Sequence, residues 1–139
     1  MMESKMTAPK GKIAFIYPAK FNMQGASSPT LNFVDNNHSV AMSVGISFLE
    51  LDPSVNYFVT FSLYDSNGNE VVTSSGMGAI PSDQIDPERK TSFLSASFHF
   101  GTSSYGTYKF SCQLIDLMYD NGKAIDSSDV YFNVIRGEA

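Results

Sequence analysis

Between Gly106 and Val134 apolar and polar residues alternate strictly enough to leave few folds open to the chain. Tyr108, Phe110, Cys112 and Leu114 fall on one parity, and Thr107, Lys109, Ser111 and Gln113 on the other. Successive side chains of a strand point to opposite faces, so this is a strand with one buried face. Beyond an Asp120-Asn121-Gly122 turn, Val130, Phe132 and Val134 repeat the pattern. Together they predict a long β-hairpin whose apolar face must be covered by other strands.

The covering material is present. Val40, Met42, Val44, Ile46 and Phe48 share one parity; Leu49 and Leu51 then slip to the other, predicting a bulge or a strand end near Phe48-Leu49. Val59, Phe61 and Leu63 alternate with Phe58, Thr60, Ser62 and Tyr64. The Asp65-Ser66-Asn67-Gly68-Asn69 stretch that follows is hairpin-turn chemistry, because Asn-Gly tolerates positive φ. Glu70 to Ser75 reads as the return strand, and Leu94, Ala96, Phe98 and Phe100 alternate with Phe93, Ser95, Ser97 and His99. Lys12 to Tyr17 reads as a short edge strand ended by Pro18, and Thr30 to Val34 as another short strand. Gly76 to Lys90, with Gly78, Pro81 and Pro87, shows no periodicity beyond one helical turn at Ser82 to Ile85. Seven or eight short strands without a convincing helix predict an all-β antiparallel sandwich or barrel. Residues 1–11 read as a flexible N-terminal arm and 12–136 as a single domain.

Gly106-Thr107-Tyr108-Lys109-Phe110 resembles the Gly-x-Tyr-x-Cys run that opens strand F of immunoglobulin-like sandwiches. The resemblance implies an immunoglobulin-like antiparallel β-sandwich in which Tyr108 is a tyrosine corner, its hydroxyl tied back to the backbone of the preceding loop. It places Phe110 where the second disulfide cysteine stands, and leaves Tyr57, Val59 or Phe61 to serve for the strand-C tryptophan, since the chain has no Trp. The chain is thus similar to small, disulfide-free bacterial immunoglobulin-like domains, which implies a binding or scaffolding role.

Composition narrows the function classes. The chain of 139 residues carries a formal charge of −5, weighing against nucleic acid or an anionic membrane as partner. Lys5, Lys10, Lys12 and Lys20 against Glu3 give the first twenty residues +3, so the remainder carries −8. No run approaches the ~20 apolar residues that span a bilayer, and Ile13-Ala14-Phe15-Ile16-Tyr17 is too short for a secretory core. A cytoplasmic protein is expected. One cysteine precludes an intramolecular disulfide, and no Cys/His cluster suggests zinc.

Chemistry-bearing residues are few. Cys112 shares parity with Phe110 and Leu114 and reads as core rather than nucleophile. His38 lies in a polar turn and His99 on a polar strand face, without convergent partners. Asp116, Asp120, Asn121, Asp126 and Asp129 offer oxygen ligands of the kind Ca²⁺ takes, but turn chemistry accounts for them. No catalytic residue, metal site or cofactor is therefore expected. The oddity is on the polar faces, which carry Ser43, Ser47, Ser62, Ser95 and Ser97 where soluble sheets usually carry Lys and Glu. Small neutral residues interrupted by aromatics suit contact with another protein. The expectation is a non-catalytic interaction or assembly module, with Tyr64, Phe93, His99 and Tyr131 as contact residues and a protein partner or a homo-oligomer as the complex. Three rivals stand beside it. One is a small-ligand β-barrel carrier with Phe48, Phe61, Phe98 and Phe110 lining a cavity, and another a phage or virion accessory subunit. The last is an enzyme joining His38, His99 and the Asp116–Asp129 cluster in one cleft.

Overall fold

The computed structural model describes residues 10–26 and 28–137; residues 1–9, most of the expected arm, lie outside them. The described residues form nine strands in order: β1 (Lys12–Lys20), β2 (Asn32–Val34), β3 (Ser39–Leu49), β4 (Tyr57–Tyr64), β5 (Glu70–Val71), β6 (Met77–Ile80), β7 (Ser92–Gly101), β8 (Gly106–Asp116) and β9 (Ala124–Ile135). The 106–134 alternation is the β8–β9 hairpin, paired from Gly106↔Val134 to Ile115↔Ala124. It forms the middle of a large sheet ordered β2-β9-β8-β4-β5, with β6 alongside β4, and this packs on a three-stranded sheet ordered β1-β3-β7. Both sheets keep open edges, so the molecule is a sandwich and not the closed barrel of the carrier alternative. β2 runs parallel to β9, the single parallel pairing among the described residues in an otherwise antiparallel set.

Four departures from the sequence pattern have local causes. β1 runs through Pro18 to Lys20, because β1 is an edge and the Pro18 carbonyl faces outward, where it accepts Thr30 N–H at 3.1 Å. A bulge between Ile13 and Phe15 breaks its alternation and sends Phe15 and Tyr17 to the outer face, opposite Ser47 and Gly45. The slip after Phe48 is a strand end: Glu50 takes φ +56° and Leu51 turns back, fully buried, with its N–H on Lys90 O. The return strand is split. After β5 the chain bridges to the other sheet at Thr73↔Phe100, then pairs with β4 again as β6, a pairing made by main chain at an edge and invisible to side-chain periodicity.

Between the sheets the core is a column of rings. Phe61 lies 4.9 Å from Phe110 and 5.0 Å from Phe98, and Phe98 lies 6.1 Å from Phe110, by ring centroids. Of these, Phe110 holds the place that the resemblance gives to the second disulfide cysteine, while Tyr57, Val59 and Phe61, the three residues it leaves for the tryptophan, all pack into this core from β4. The column continues through Phe100, Tyr108 and Phe132 to Phe33. Phe48, Phe98 and Phe110 are buried in this core, and of the four residues of the carrier alternative Phe61 lines an open slot of about 210 Å³. Tyr108 is the tyrosine corner: its hydroxyl donates to Ser104 O at 2.8 Å.

Candidate interaction surfaces

The four contact residues read from parity divide between opposite sides of the sandwich. Phe93 and His99 lie on the outer face of β1-β3-β7; Tyr64 and Tyr131 lie on the outer face of the larger sheet. Parity tells which side of its own strand a residue takes, but not which sheet the strand joins.

On the three-stranded face the serines are engaged by the chain itself. Ser43 Oγ and Ser97 Oγ lie 2.7 Å apart; Ser97 Oγ donates to Asn22 O, and Asn22 N–H donates to Ser43 Oγ. Ala26 N–H donates to Ser95 Oγ at 3.2 Å. The segment after β1 thus lies across the sheet on a serine triad, and Ala19 is fully buried on this side. Beside it Tyr17 lies flat over Gly45, whose position has no room for a Cβ: one built there would stand 2.5 Å from the ring. The Tyr17 hydroxyl donates to Ala26 O at 3.0 Å and fixes the ring. Phe15 and Phe93 flank Tyr17 at 6.4 and 6.2 Å, in nearly parallel planes. Phe15 is 56% exposed and Phe93 46%. The three rings form an open aromatic patch, of which sequence reasoning had found Phe93 alone. His99 sits at the opposite rim, 5.0 Å from the Phe21 ring.

On the larger sheet the outward side chains pair with one another across strands. Lys109 Nζ stands 4.8 Å over the Tyr64 ring, and Lys109 pairs in register with both Tyr64 and Tyr131. Thr60 Oγ1 donates to Gln113 Oε1, and Asn133 Nδ2 to Asn32 Oδ1. Tyr131 remains exposed.

At the end of the sandwich where β2 meets β3 there is a polar knot that no sequence pattern announced. Asp35 is buried; Tyr105 donates to its Oδ2 at 2.7 Å and Thr102 Oγ1 to its Oδ1 at 3.2 Å. The Tyr105 bond, against desolvation, holds the carboxyl below its ordinary range, with help from Thr102, the His38 charge and Ser39 N–H. Arg136 lies 5.1 Å over the Tyr105 ring. Gly137 passes so close that a Cβ there would meet Asp35 O at 2.0 Å. Asn37 and His38, both at positive φ, make the tight turn that leads into β3. With Asp35 N–H on Ile135 O and Thr102 N–H on His38 O, these contacts fasten the turn, the β7–β8 loop and the end of β9 together.

No protein-family model matches the chain, and no curated protein matches it. Solved structures do. A bacterial adhesin from Mobiluncus mulieris superposes with TM-score 0.60 at 6% identity, over 91% of this chain and 58% of its own. A glycosyl hydrolase family 2 member from Bacteroides cellulosilyticus gives 0.59 at 8%, and a β-glucuronidase of Bifidobacterium dentium 0.55 at 13%. These cover 88% and 89% of this chain but only 15% and 18% of the glycosidases. With the tyrosine corner, the two-sheet order and these neighbours, the fold is settled. The chain is an immunoglobulin-like β-sandwich.

In this sandwich the other chemistry-bearing residues do not converge. Cys112 is fully buried, and burial, then the nearby Asp126, pushes its thiol up to about 12, so it is not a thiolate at neutral pH. Asp126 Oδ2 accepts Ile13 N–H at 2.8 Å and ties β1 to β9; Asp116 Oδ1 accepts Met118 N–H. Asp65 Oδ1 likewise closes its own turn through Asn67 and Asn69 N–H. Among the described residues no group of three His, Cys, Asp or Glu side chains stands ready for a metal. A cleft of about 800 Å³ opens at the β3-end of the sandwich, lined among others by Glu50, Asp52, Tyr57, Lys90 and Asp116, and it contains neither His38 nor His99. Asp52 there is lowered by Ser54 N–H and hydroxyl, and Tyr57 raised by burial; both are locked in the Asp52 turn, since Asp52 N–H donates to Tyr57 Oη.

Proposed function

We propose that the chain is a non-catalytic protein-interaction module that docks a protein partner through the outer face of its three-stranded sheet. The observation that carries this reading is the Phe15–Tyr17–Phe93 patch, with two of its rings about half exposed while the neighbouring serines are covered by the chain's own loop. Exposed contiguous aromatics are uncommon on a monomer's surface and enriched in protein interfaces. The rings are preorganised on a sheet, so little side-chain freedom is lost on contact. The structural neighbours support a module as well, since each is a larger chain of which this fold forms one part.

The test is a binding comparison of two single variants once a partner has been captured from native extract and identified. Phe15→Lys should weaken binding at least tenfold, and Tyr131→Lys on the opposite face should leave it unchanged. Equal affinity of both variants and wild type would refute docking through this face.

A further inference from the structure

Each open sheet ends in two edge strands with outward backbone groups left to pair, and the four edges here are not alike. β2 is three residues long, and the edge opposite it is shared by β5, of two, and β6, of four. β1 carries Pro18 within it and Lys12 and Lys20 at its ends. β7 runs for ten residues, SFLSASFHFG, without a Lys, Arg, Asp, Glu or Pro. Its far end is used within the chain: His99 O accepts Ser74 N–H at 3.0 Å, and His99 N–H donates to Ser74 Oγ at 2.9 Å. In an antiparallel strand the N–H and C=O of one residue point to the same side, and alternate residues to alternate sides. Phe93, Ser95 and Ser97 therefore aim their backbone groups as His99 does, away from β3, and no backbone or side-chain group among the described residues bonds them. Beside this edge the sheets part to leave a slot of about 210 Å³, lined by Ile46, Val59, Phe61, Leu94 and Ala96 among others.

We propose that β7 is a homotypic pairing edge: a second copy of this chain lays its own β7 antiparallel along Phe93–Ser97, joining two three-stranded sheets into one of six strands. This rests on reading the chain as an interaction module and names one partner of that module. β7 permits a second copy as the occupant through its lack of charge and selects one through its sequence. The molecule carries −5, so two copies repel, yet β7 brings no formal charge to the contact. Its sequence is also self-complementary in size. About a two-fold axis through Ser95, Phe93 faces the partner's Ser97 and Leu94 faces the partner's Ala96, so a large side chain meets a small one on both faces. The partner's Leu94 then lies over the slot. Strand addition of this kind draws affinity from main-chain hydrogen bonds and selectivity from the pocket beneath alternate side chains. A contact of five residues per strand is at the small end of protein interfaces, so the dimer dissociates on dilution. The joined sheet would present two Phe15–Tyr17–Phe93 patches on one face, making the module bivalent.

Sedimentation velocity of the full chain from micromolar to millimolar concentration tests this, with amide hydrogen exchange read over the same series. The expected result is a reversible monomer–dimer equilibrium in which the Phe93, Ser95 and Ser97 amides gain protection with concentration while His99 stays constant. Ala96→Lys should keep the chain monomeric throughout. The lysine stem fits the slot, and its ammonium reaches water at the edge, the guard that β7 lacks. Phe15→Lys should leave the dimer intact while weakening binding of a heterologous partner at least tenfold, so failure of one reading is distinct from failure of the other. A wild type monomeric into the millimolar range overturns the inference. So does a dimer that leaves the three amides unprotected, a reading that holds even should Ala96→Lys not fold. Protection of these amides only on addition of a different protein also overturns it, by assigning the edge to that protein.

Discussion

The two outer faces of this sandwich are built from similar residues and come to opposite ends. Both carry small neutral side chains broken by aromatics. On the larger sheet these satisfy each other in place: Lys109 covers Tyr64, Thr60 meets Gln113, and Asn133 meets Asn32. On the smaller sheet Ser43, Ser95 and Ser97 reach instead to a loop 21 to 75 residues away in sequence, which covers half of the face and leaves the aromatic half bare. A serine on a strand's outward parity therefore says nothing by itself about whether its face is free. What decides is whether a donor or acceptor waits above it.

This contrast can be broken by substitution. The largest effect is expected at Gly45, where Ala would push against the Tyr17 ring that the Ala26 carbonyl holds down. Overpacking of that kind costs roughly 1–3 kcal/mol, whereas Ser62→Ala on the opposite face should stay within about 0.5 kcal/mol of wild type. Urea midpoints of the two variants measure the difference directly. Next comes Ser97→Ala, which removes the bonds to Asn22 O and Ser43 and should cost about 1 kcal/mol. Its amide-exchange signature should be local, with faster exchange at Asn22 and Ala26. If those amides do not respond, the serine triad does not hold the loop and the two faces are equivalent after all. The smallest change belongs to Lys109→Ala, which uncovers Tyr64 for about 0.5–1 kcal/mol and should show as faster nitration of that ring with little shift in the unfolding midpoint.

Much of the architecture was legible because it is written in local rules. Strict alternation gave β8 and β9, Asn67-Gly68 gave a turn, and the Gly106–Phe110 run announced the corner that Tyr108 makes with Ser104. The surfaces were far less legible, for reasons that are equally physical. The bulge after Ile13 scrambled the parity of Phe15 and Tyr17, and Pro18 looked like a stop, although at the edge that the sequence suggested its missing N–H interrupts no pairing and β1 runs on to Lys20. β6 is held by main-chain pairing with β4 and leaves no side-chain signature. The Asp35–Tyr105 bond spans 70 residues, and neither partner stands out in its own segment. Phe93 and Tyr131 could be assigned outward sides from alternation, but their separation onto opposite faces depends on which sheet each strand joins.

The triangle of Phe61, Phe98 and Phe110 also has a bearing on how the protein comes apart and together. Where immunoglobulin-like sandwiches with an inter-sheet cystine are stapled covalently, this one, with a single cysteine, is closed by contact alone. Its unfolded chain retains no loop constraint, and reassembly involves no oxidant, no thiol exchange and no isomerase for a cross-link. The pace of folding is then set by strand topology, by the search that brings β1 and β7 to either side of β3 and that lays β2 beside β9 across about a hundred residues.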